Sequence, residues 1–421
     1  MAGKKFQTPK GTRDILPEEQ KYWVEIERVL KQTAGLFGYE RIDLPIFEET
    51  DLFQRGVGET TDIVEKEMYT FLDRSGTSMT LRPEFTAGIV RAYVQHGMAS
   101  WPKPVKLWST GPIFRYERPQ AGRYRQFTQF NVEAVGELDP ALDFEMMSLA
   151  WQIYDRLGFK NLHFQLNSIG CKQCRPNYLD RLSEYYRKHF GAICTDCQKR
   201  LDRNPLRLLD CKQAQCQPVI ESAPSIHEHL CPECSEHFET LQSHLKHAGL
   251  SCQLNSRMVR GLDYYTKTVF EVWAEGIGSQ NAVCGGGRYD GLIELLGGSP
   301  TPAVGFASGL ERISLVMQEQ KTAVPEIPSP SVYIIVLGKE PGLRGVTILN
   351  ELRSRNISGI MGLGGKSFKA QMREADKRLV NHVLILGEDE LAREEIILKN
   401  MRDGEQKTIS IQNMMTELSA R

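Results

Sequence analysis

Apolar residues recur along this chain with two different spacings, and each spacing predicts a type of element. Apolar positions three and four apart predict amphipathic helices in the first part of the chain. These helices span Leu16–Tyr39, Pro83–His96 and Pro140–Leu157. Short apolar runs bounded by turn residues predict strands. The predicted strands of the same region are Ile42–Ile46, Glu67–Leu72 and Ser78–Leu81.

The strand-rich pattern is interrupted once before it returns. Residues 171–252 are rich in Cys, His, Lys and Glu, poor in β-branched residues and mostly helical in pattern, which is typical of an inserted module. We therefore predict a core in two parts, residues 1–170 and 253–320, around a Cys-rich helical insertion. The segments in which the β-rich, glycine-rich character returns are Val269–Trp273, Asn281–Gly291 and Val304–Met317.

A proline-containing segment separates this core from the last part of the chain. Residues 321–331 hold three prolines and are predicted to form a linker. Beyond it, helices at Gly342–Arg355 and Lys366–Leu379 alternate with short strands that start with Val332–Leu337. This alternation predicts an α/β domain over residues 332–421.

Composition and charge narrow the class of protein. The chain has 421 residues, 41% of them apolar, and Lys plus Arg number 52 against 53 for Asp plus Glu. With a net charge near zero, nucleic acid would have to bind at local basic patches. No apolar run approaches the length of about 20 residues that spans a membrane, and the first residues lack the apolar region of a secretory signal. Ten cysteines without an export signal then favour a reducing, cytoplasmic location.

Eight of the cysteines form four close pairs inside the insertion. Cys-x-x-Cys pairs are common half-sites of tetrahedral zinc. Two four-cysteine sites could form, and His227, His229 and His237 are alternative ligands. Unligated or redox-active thiols are the other explanation. The candidate zinc ligands are Cys171, Cys174, Cys194, Cys197, Cys211, Cys216, Cys231 and Cys234.

The stretch Phe114–Arg125 places four arginines around a Pro-Gln-Ala-Gly turn. Strand-like segments flank it on both sides, which predicts a hairpin. Arginine keeps its charge and offers a planar fork of donors, so such a cluster suits phosphate. A solvated, arginine-rich hairpin is the alternative.

Other stretches carry candidate chemistry, and each has a purely structural explanation as well. Glu84 and Thr86 near a helix start are either ligand-binding groups or capping residues. The sequence Arg260-Gly-Leu-Asp-Tyr-Tyr-Thr puts charge beside two tyrosines, which also pack readily where a strand starts. Gly285–Gly291 is a flexible turn without the spacing of a dinucleotide or P-loop motif. Arg312 begins an apolar helix and is either aimed into a cleft or ion-paired at the surface.

Taken together and in this order, these motifs resemble those of class II aminoacyl-tRNA synthetases, and specifically of the histidyl-tRNA synthetase family. Phe114–Gln129 is similar to the family's motif 2, and Gly305–Ile313 is similar to its motif 3. Arg260–Glu271 and Gly285–Leu292 resemble two histidine-specific motifs, and the opening Thr8–Asp14 is similar to the family's opening. The resemblance implies an α+β fold: a class II antiparallel-sheet catalytic core with a helical insertion, followed by an α/β anticodon-binding domain.

The resemblance also implies an ATP site around the hairpin. Arg115 would neutralise the α-phosphate, Arg123 would hold the outer phosphates, and Glu117 would read the adenine amino group. Phe127 and Arg312 would sandwich the adenine, with Arg312 also near the γ-phosphate. Mg²⁺ would bridge the phosphates.

A histidine site follows from the same resemblance. Arg260 would touch both the histidine carboxylate and the α-phosphate, so that Arg115, Arg260 and Arg312 are the expected catalytic residues. Glu133 and Tyr265 would recognise the imidazole. The residues expected around the amino group are Glu84, Thr86 and Gln129, with Gln129 also near the carboxylate. The residues expected to line the rest of the pocket are Tyr264 and Tyr289.

Two places are candidates for contact with tRNA. The hairpin tip would face the acceptor end of the tRNA, where Gln120 would contact the extra 5′ nucleotide that this family reads. The second is a basic stripe on the predicted helix of the C-terminal domain, although a solvated helix face also explains such spacing. The stripe consists of Lys366, Lys369, Arg373 and Lys377.

The family activates histidine with ATP and transfers it to tRNA, so the expected activity is that of a histidine–tRNA ligase. Its substrates would be L-histidine, ATP and tRNA(His). Homodimers are typical of the family, and Phe47–Val64 is expected at the interface. One alternative is a catalytically inactive regulatory subunit of histidine biosynthesis, and another is an RNA-binding or signalling protein on the same scaffold. Both are disfavoured because Arg115, Arg260 and Arg312 are all present together with the C-terminal α/β domain.

Overall fold

The computed structural model describes residues 5–275 and 282–419, which form two compact units. The first unit is Met1–Pro325 and the second is Glu326–Arg421. The boundary between the units falls within the proline-containing segment 321–331. The subdivision of the first unit into two core parts and an insertion stays a prediction.

The first unit mixes short and long elements of both types. Its strands are β1 (Glu40–Arg41), β2 (Phe47–Glu49), β3 (Tyr69–Leu72), β4 (Ser78–Leu81), β5 (Val105–Phe114), β6 (Gln126–Val135), β7 (His163–Ser168), β8 (Cys252–Leu254), β9 (Thr266–Trp273), β10 (Ala282–Arg288) and β11 (Ala303–Gly309). Its helices are α1 (Gln20–Leu36), α2 (Thr50–Val57), α3 (Thr86–Gln95), α4 (Pro140–Arg156), α5 (Arg175–Lys188), α6 (Thr195–Leu201), α7 (Gln217–Glu221), α8 (Pro232–His247), α9 (Leu292–Leu295) and α10 (Leu310–Glu319). Asn281, the predicted start of the strand that corresponds to β10, lies outside the described residues.

The main sheet has eight strands in the order β1-β5-β6-β11-β10-β9-β7-β8. The six inner strands pair antiparallel, and β1 and β8 are added in parallel at the two edges. The predicted arginine hairpin is real, because β5 and β6 pair from Val105 with Val135 to Phe114 with Gln126. The predicted antiparallel-sheet core is therefore confirmed.

Alternation along the central strands gives the sheet two different faces. On β6, Phe130, Val132 and Ala134 are buried in an apolar cluster with α1, α4 and α10. The positions between them face the other side, where α3 and α9 pack. Three residues of that second face, Gln129, Asn131 and Glu133, are buried and polar, which is a departure from an ordinary core.

A second, three-stranded antiparallel sheet of order β2-β4-β3 lies in the same unit. The predicted strand Ile42–Ile46 is wrong, because a short strand precedes it and β2 follows it. Proline at position 45 has no N–H to donate to a strand ladder. The buried guanidinium of Arg82 donates instead to the carbonyls of Leu44 and Pro45, at 2.8 and 3.1 Å.

The second unit is an α/β domain, as the alternation predicted. Its strands are β12 (Val332–Val336), β13 (Gly359–Met361), β14 (His382–Leu386), β15 (Glu395–Asn400) and β16 (Gln406–Ser410). Its helices are α11 (Lys339–Ser354), α12 (Phe368–Lys377), α13 (Glu388–Ala392) and α14 (Met414–Ser419). The sheet order is β13-β12-β14-β15-β16, parallel through the first three strands and antiparallel through the rest.

Candidate active site

One cavity in the first unit collects the residues predicted to bind histidine. Its volume is about 160 Å³, which is small against the roughly 300–1,000 Å³ of pockets for drug-sized ligands. The cavity therefore suits a small metabolite. Arg115 lines it together with all eight of the residues predicted to bind histidine. These eight are Glu84, Thr86, Gln129, Glu133, Arg260, Tyr264, Tyr265 and Tyr289.

Strand β6 supplies one wall of the cavity as a row of polar side chains. Gln129, Asn131 and Glu133 occupy alternate positions, so they project from the same face of the sheet. All three are buried. Within the described part of the chain, Gln129 Oε1 and Asn131 Oδ1 have no hydrogen-bond partner. A buried polar atom without a partner is costly, so a ligand that supplies donors here would be favoured.

Glu133 is the most densely bonded group of this wall. One carboxylate oxygen accepts from Thr86 Oγ1 at 2.6 Å and from Asn131 Nδ2 at 3.1 Å. The other accepts from the hydroxyl of Tyr289 at 2.5 Å. Burial raises the pKa of Glu133 to about 7, although the three donors act in the opposite direction. The carboxyl therefore changes its charge near neutral pH.

Two glycines make room for the charged groups of the cavity. A Cβ atom on Gly305 would lie 1.6 Å from Glu133 Oε2. A Cβ atom on Gly285 would lie 2.4 Å from the guanidinium carbon of Arg260. Both glycines sit on neighbouring strands of the main sheet, β11 and β10, so the side chains of Glu133 and Arg260 lie directly against bare backbone.

Three tyrosines form an aromatic corner of the cavity. The rings of Tyr264 and Tyr265 are 4.8 Å apart, and those of Tyr264 and Tyr289 are 5.6 Å apart in a T-shaped arrangement. Burial is the main reason that the pKa values of all three hydroxyls are raised. The hydroxyls therefore stay protonated; that of Tyr289 donates to Glu133, and those of Tyr264 and Tyr265 can donate hydrogen bonds to a ligand.

Arg260 brings a partly buried positive charge to the same cavity. Its Nη1 donates to Glu271 of β9. Burial lowers the pKa of Arg260, but Glu271, Tyr265 and Cys284 together more than offset this effect, so the pKa is raised. Its buried Nε has no hydrogen-bond partner among the described residues. The guanidinium thus has a donor to spare.

Glu84 and Thr86 combine the two explanations that the sequence left open. Glu84 accepts hydrogen bonds from the backbone N–H groups of Thr86 and Ala87, at 2.6 and 2.8 Å, so it caps the start of α3. Burial raises the pKa of Glu84, although these N–H donors act against it. Both side chains also line the cavity. Capping and ligand binding are therefore compatible here.

The arginine hairpin meets the cavity through Arg115. Its Nε donates to the carbonyl of Pro83 at 2.8 Å, which anchors the guanidinium beside the start of α3. Glu117 lies between two arginines, with Nη1 of Arg115 at 3.9 Å and Nη1 of Arg123 at 3.3 Å. A carboxylate of this kind keeps two like charges close together, as an arginine-rich phosphate site requires.

Arg312 and Phe127 lie outside the cavity lining, next to the hairpin. Phe127 is half-buried, and the Arg115 guanidinium lies 5.5 Å from its ring centre. Arg312 donates to the carbonyl of Ala282 at 2.7 Å. Burial lowers the pKa of Arg312, and the nearby Arg123 lowers it further. Arg312 is thus a half-buried cation beside the hairpin, and within the described part of the chain it does not belong to a surface ion pair.

The hairpin tip is a separate region. Gln120 is exposed, and it forms an isolated bridge with Arg123 through two backbone hydrogen bonds of 2.9 and 3.2 Å. The tip therefore stands away from the cavity residues and presents the glutamine to solvent.

Several residues of the cavity were missed by the sequence reasoning. Asn131 was missed although it falls between Gln129 and Glu133 in strict alternation, which is the signal that could have found it. Phe306 and Leu262 have no such signal, because apolar residues of this kind also fill ordinary cores. The missed lining residues are Ile63, Asn131, Gly261, Leu262, Gly285, Gly305, Phe306 and Ala307.

The eight cysteines of the insertion form two tetrads. Cys171, Cys174, Cys231 and Cys234 make the first tetrad, and the ligand atoms within it all lie within 4.8 Å of one another. The second tetrad has the same spread and is composed of Cys194, Cys197, Cys211 and Cys216. The first tetrad combines the first and the last cysteine pairs of the insertion. The second tetrad combines the two cysteine pairs that lie between them in the sequence.

The sulfur–sulfur distances fit a tetrahedral metal site. In the first tetrad the Cys171–Cys174 and Cys171–Cys231 sulfurs are 3.8 Å apart, and the Cys174–Cys234 sulfurs are 3.9 Å apart. Four sulfurs at about 2.3 Å from zinc have separations of about 3.8 Å, whereas a disulfide requires about 2.05 Å. All ten cysteines are free thiols.

The three histidines that the sequence offered as alternative ligands have other contacts. His227 Nε2 lies 2.8 Å from Asn167 Oδ1, and the His229 ring packs near Tyr178. His237 Nε2 lies 3.3 Å from the buried Asp143. The chemistry of the tetrads is therefore that of thiols alone.

The predicted basic stripe of the second unit is shorter than expected. Ser367 caps α12 by accepting from the N–H of Ala370 at 3.4 Å, so Lys366 lies before the helix and its Nζ contacts Glu374 at 2.6 Å. The remaining members are exposed and four positions apart, so they share one face of α12. They are Lys369, Arg373 and Lys377.

Comparison with known proteins assigns the chain to a family. A sequence model described as histidyl-tRNA synthetase matches residues 11–313, and a model described as an anticodon binding domain matches residues 331–421. The chain belongs to the histidyl-tRNA synthetase family. The predicted family and α+β fold class are both confirmed.

Individual relatives match over nearly the whole length. The histidine–tRNA ligase of Dehalococcoides mccartyi (strain ATCC BAA-2266 / KCTC 15142 / 195) is 49% identical over 413 residues, which cover 98% of this chain and 99% of that protein. The histidine–tRNA ligase of Acetivibrio thermocellus is 48% identical over 412 residues, with 98% and 99% covered. The crystal structure of apo histidyl-tRNA synthetase from S. aureus is 35% identical, with a TM-score of 0.83, and covers 98% of this chain and 100% of that one.

Proposed function

We propose that this member of the family is a histidine–tRNA ligase, which activates L-histidine with ATP and transfers the histidyl group to the 3′ end of tRNA(His). The observation that carries the proposal is the cavity. It joins two partly buried arginines, two buried carboxyls and three tyrosines around polar atoms of Gln129, Asn131 and Arg260 that have no partner among the described residues. The two curated relatives named above, which match along nearly the whole chain, are ligases, and this supports the ligase over the regulatory alternative.

The first reaction needs positioning and charge neutralisation more than covalent help. A histidine carboxylate oxygen bonds to the α-phosphorus of ATP, and the bond from this phosphorus to the pyrophosphate oxygen breaks. Negative charge grows on the α-phosphate, so fixed cations beside it lower the barrier. We assign Arg260 and Arg115 to this task, Arg260 because it would reach both the carboxylate and the phosphate. Mg²⁺ bound with ATP would supply further positive charge at the phosphates.

The ATP site would continue from the cavity along the hairpin. Arg123 would hold the outer phosphates and Glu117 would read the adenine amino group. Phe127 and Arg312 would enclose the adenine. The support for this assignment is the arrangement described above, in which Arg115 packs against Phe127, Arg123 lies near the half-buried Arg312, and Glu117 keeps the arginines together.

Selectivity for histidine would come from protein groups that need hydrogen-bond partners on the amino-acid side chain and would find none on an apolar one. Glu133 would accept a hydrogen bond from one imidazole nitrogen, and the hydroxyl of Tyr265 would bind the other. Glu84, Thr86 and Gln129 would hold the amino group. An amino acid without these nitrogens would leave buried groups unpaired, which can cost several orders of magnitude in rate without any editing.

We propose two contacts with tRNA, at Gln120 on the hairpin tip and along the exposed face of α12. The basic face would neutralise phosphates of the RNA backbone. The support is charge and exposure in a domain that matches the anticodon-binding family. Replacing Lys369, Arg373 and Lys377 by Gln should weaken tRNA binding and reduce its salt dependence, with the Lys31→Gln variant as control. Unchanged salt dependence would rule out this face.

A homodimer in the cytoplasm completes the proposal. On the three-stranded sheet, the exposed fraction is 51% for Phe47, 44% for Phe71 and 70% for Leu72. An interface formed by Phe47–Val64 and its neighbours would cover these apolar side chains. The free thiols agree with a reducing compartment. No helix of residues 5–275 or 282–419 has the length and apolar character needed to cross a membrane.

We also propose that each cysteine tetrad binds one structural Zn²⁺. Four sulfurs at tetrahedral separations, with backbone N–H groups aimed at them, fit this ion. The N–H of Cys171 lies 3.2 Å from Cys174 Sγ, and the N–H of Cys194 lies 3.2 Å from Cys216 Sγ. Metal analysis of the purified full chain should find two zinc ions per chain. Protein without zinc and with full activity would contradict this assignment.

The proposed activity can be tested by charging tRNA. Purified protein should attach labelled histidine, and no other amino acid, to tRNA(His) in the presence of ATP. A tRNA with a different identity serves as the control and should stay uncharged. Failure to charge tRNA(His) under conditions in which the protein is folded would contradict the proposal.

A further inference from the structure

The first cysteine tetrad brings the start of the insertion next to the start of α8. Cys171 and Cys174 follow β7 directly, and Cys231 and Cys234 belong to the start of α8. A metal held by all four would therefore fasten two segments that are far apart in sequence. Each of these segments also carries a charged side chain that bonds to the segment from Tyr265 to Lys267, in which Tyr265 lines the amino-acid cavity.

The first connection runs through Arg175, which follows Cys174 in the sequence. Its Nη2 donates to the backbone carbonyl of Tyr265 at 2.6 Å and to that of Gly170 at 3.1 Å, while its Nε donates to Ile169 at 2.9 Å. Tyr265 lines the cavity. The planar guanidinium, with three hydrogen bonds to backbone, thus fixes the cavity residue relative to the cysteine pair.

The second connection runs through Glu233, which lies between Cys231 and Cys234. It accepts from Nζ of Lys267 at 2.6 Å. Lys267 follows the cavity tyrosines by two positions, is buried and has a φ of +48°, a value that is uncommon for a residue with a side chain. Such a conformation persists only where its surroundings hold it.

The backbone of the same segment is tied to the residues just before the tetrad. The N–H of Lys267 donates to the carbonyl of Gly170, and the N–H of Ile169 donates to the carbonyl of Lys267, both at 2.8 Å. Gly170 has a φ of +68°, and a Cβ atom there would lie 2.8 Å from Cys174 Sγ. The chain that pairs with Lys267 therefore packs directly on a thiol of the tetrad.

We propose that Zn²⁺ bound by Cys171, Cys174, Cys231 and Cys234 positions Tyr265 in the amino-acid cavity, with Arg175 and Glu233 as the positioning residues. The inference rests on the proposed function, because it takes the ligand of the cavity to be histidine. Without the ion, the two Cys-x-x-Cys segments separate and the segment from Tyr265 to Lys267 loses its supports on both sides. Histidine binding then weakens. The hairpin that would hold ATP is not attached through these bonds, so ATP binding stays.

The test compares cysteine variants of the full chain. Cys231→Ser removes a ligand of the first tetrad, while Cys252→Ser alters a half-buried cysteine outside both tetrads. Zinc content, the histidine dissociation constant from calorimetry and the KM values for histidine and ATP in pyrophosphate exchange are measured on each. Cys252→Ser should resemble the wild type. Cys231→Ser should lose one zinc and bind histidine at least about tenfold more weakly, with KM for ATP nearly unchanged.

Two further variants separate positioning from folding. Arg175→Ala should keep both zinc ions and still raise the KM for histidine by about tenfold. Glu233→Gln, on a side chain that is 65% exposed, should fold normally and raise that KM by about threefold. Loss of zinc with an unchanged histidine KM would overturn the inference, as would a wild-type protein without zinc. A wild type that binds zinc but shows no histidine-dependent exchange would instead contradict the proposed function.

Discussion

At the scale of single residues, the cavity depends on charges that the fold shields from solvent, at least in part, and only partly compensates. Arg260 is the clearest case. Glu271 balances its charge on one side, Gly285 lets it lie against backbone, and its Nε stays without a partner in the described ranges. An incompletely compensated charge of this kind destabilises the protein when the site is empty. The same charge stabilises an anion that binds next to it.

Replacement of Arg260 tests this interpretation. Arg260→Ala should lower the rate of histidine-dependent pyrophosphate exchange by about 100- to 1,000-fold, because the charge acts mainly on the transition state. The dissociation constants of ATP and histidine should change far less. The control is Arg257→Ala, whose guanidinium donates to the carbonyl of Glu221 outside the cavity. Near-normal exchange by the Arg260 variant would refute the assigned role.

The raised pKa of Glu133 predicts that the stability of the protein depends on pH. Burial raises its pKa to about 7, above the ordinary value of 4.5. Between pH 4.5 and about pH 7, the folded protein therefore binds more protons than the unfolded chain. The contribution of Glu133 to the free energy of unfolding falls as the pH rises through this range. Relative to Glu133→Gln, wild-type stability should decrease by up to about 3 kcal/mol from pH 4.5 to pH 7.

Urea unfolding of both proteins at several pH values measures this difference. Glu311, whose pKa burial also raises to about 7, is present in both proteins and cancels in the comparison. Parallel pH profiles for wild type and variant would contradict a raised pKa at Glu133.

Residues differ in how far the sequence could predict them. The charged residues and tyrosines of the histidine site were predicted because the motif resemblance points to them, and they do meet in one cavity. Gln129 and Glu133 on one strand also imply Asn131 by simple alternation. The steric role of Gly305 could not be predicted, because it depends on which strand lies beside Glu133, and that pairing is set by the whole sheet.

At the scale of elements, the neighbouring strands β6, β11 and β10 work as one unit. A side chain on one strand lies over a glycine of the next, so register between strands decides whether the cavity exists. Gly305 on β11 and Glu133 on β6 are direct partners in this register.

A matched pair of glycine variants on β11 tests this dependence. Gly305→Ala should lower histidine affinity at least about tenfold, or prevent folding, since its Cβ would collide with Glu133. Gly309→Ala, where a Cβ has nothing within 4 Å, should bind histidine as the wild type does. Calorimetry and thermal unfolding give both quantities. Equal histidine affinity in two folded variants would contradict the described register.

Element types were easier to predict than element ends. The hairpin of β5 and β6 and the helices α1 and α4 follow directly from apolar periodicity. Helix starts were placed too early at α3 and α12, because a pattern of side chains does not show where Glu84 and Ser367 begin to cap. The strand predicted at Ile42–Ile46 fails because Arg82, distant in sequence, takes the carbonyls that a strand would use.

At the scale of the whole molecule, the sequence predicted the two kinds of sheet but not how distant cysteines combine. Spacing alone allows Cys171 to share a site with any other pair. The structure joins it to Cys231 because the first segment of the insertion and the start of α8 lie next to each other. Folding of the intervening helices decides this, and local patterns carry no information on it.

The proposed dimer gives a prediction at this scale. Phe71→Asp on the exposed three-stranded sheet should convert a dimer into a monomer, because a charge would replace an apolar group at the interface. Leu36→Asp alters an apolar residue at the end of α1 that is even more exposed than Phe71, and it should leave the dimer intact. Light scattering measures the mass of each protein in solution. A wild-type monomer, or a Phe71 variant that stays dimeric, would contradict the assigned interface.

The central claim is that the cavity around Glu133 and Arg260 selects histidine and activates it with ATP. ATP–pyrophosphate exchange, measured with each of the standard amino acids in turn, tests this claim most directly. We expect exchange that depends on histidine, with every other amino acid close to background. Exchange stimulated by a different amino acid, or no histidine-dependent exchange by folded protein, would contradict it.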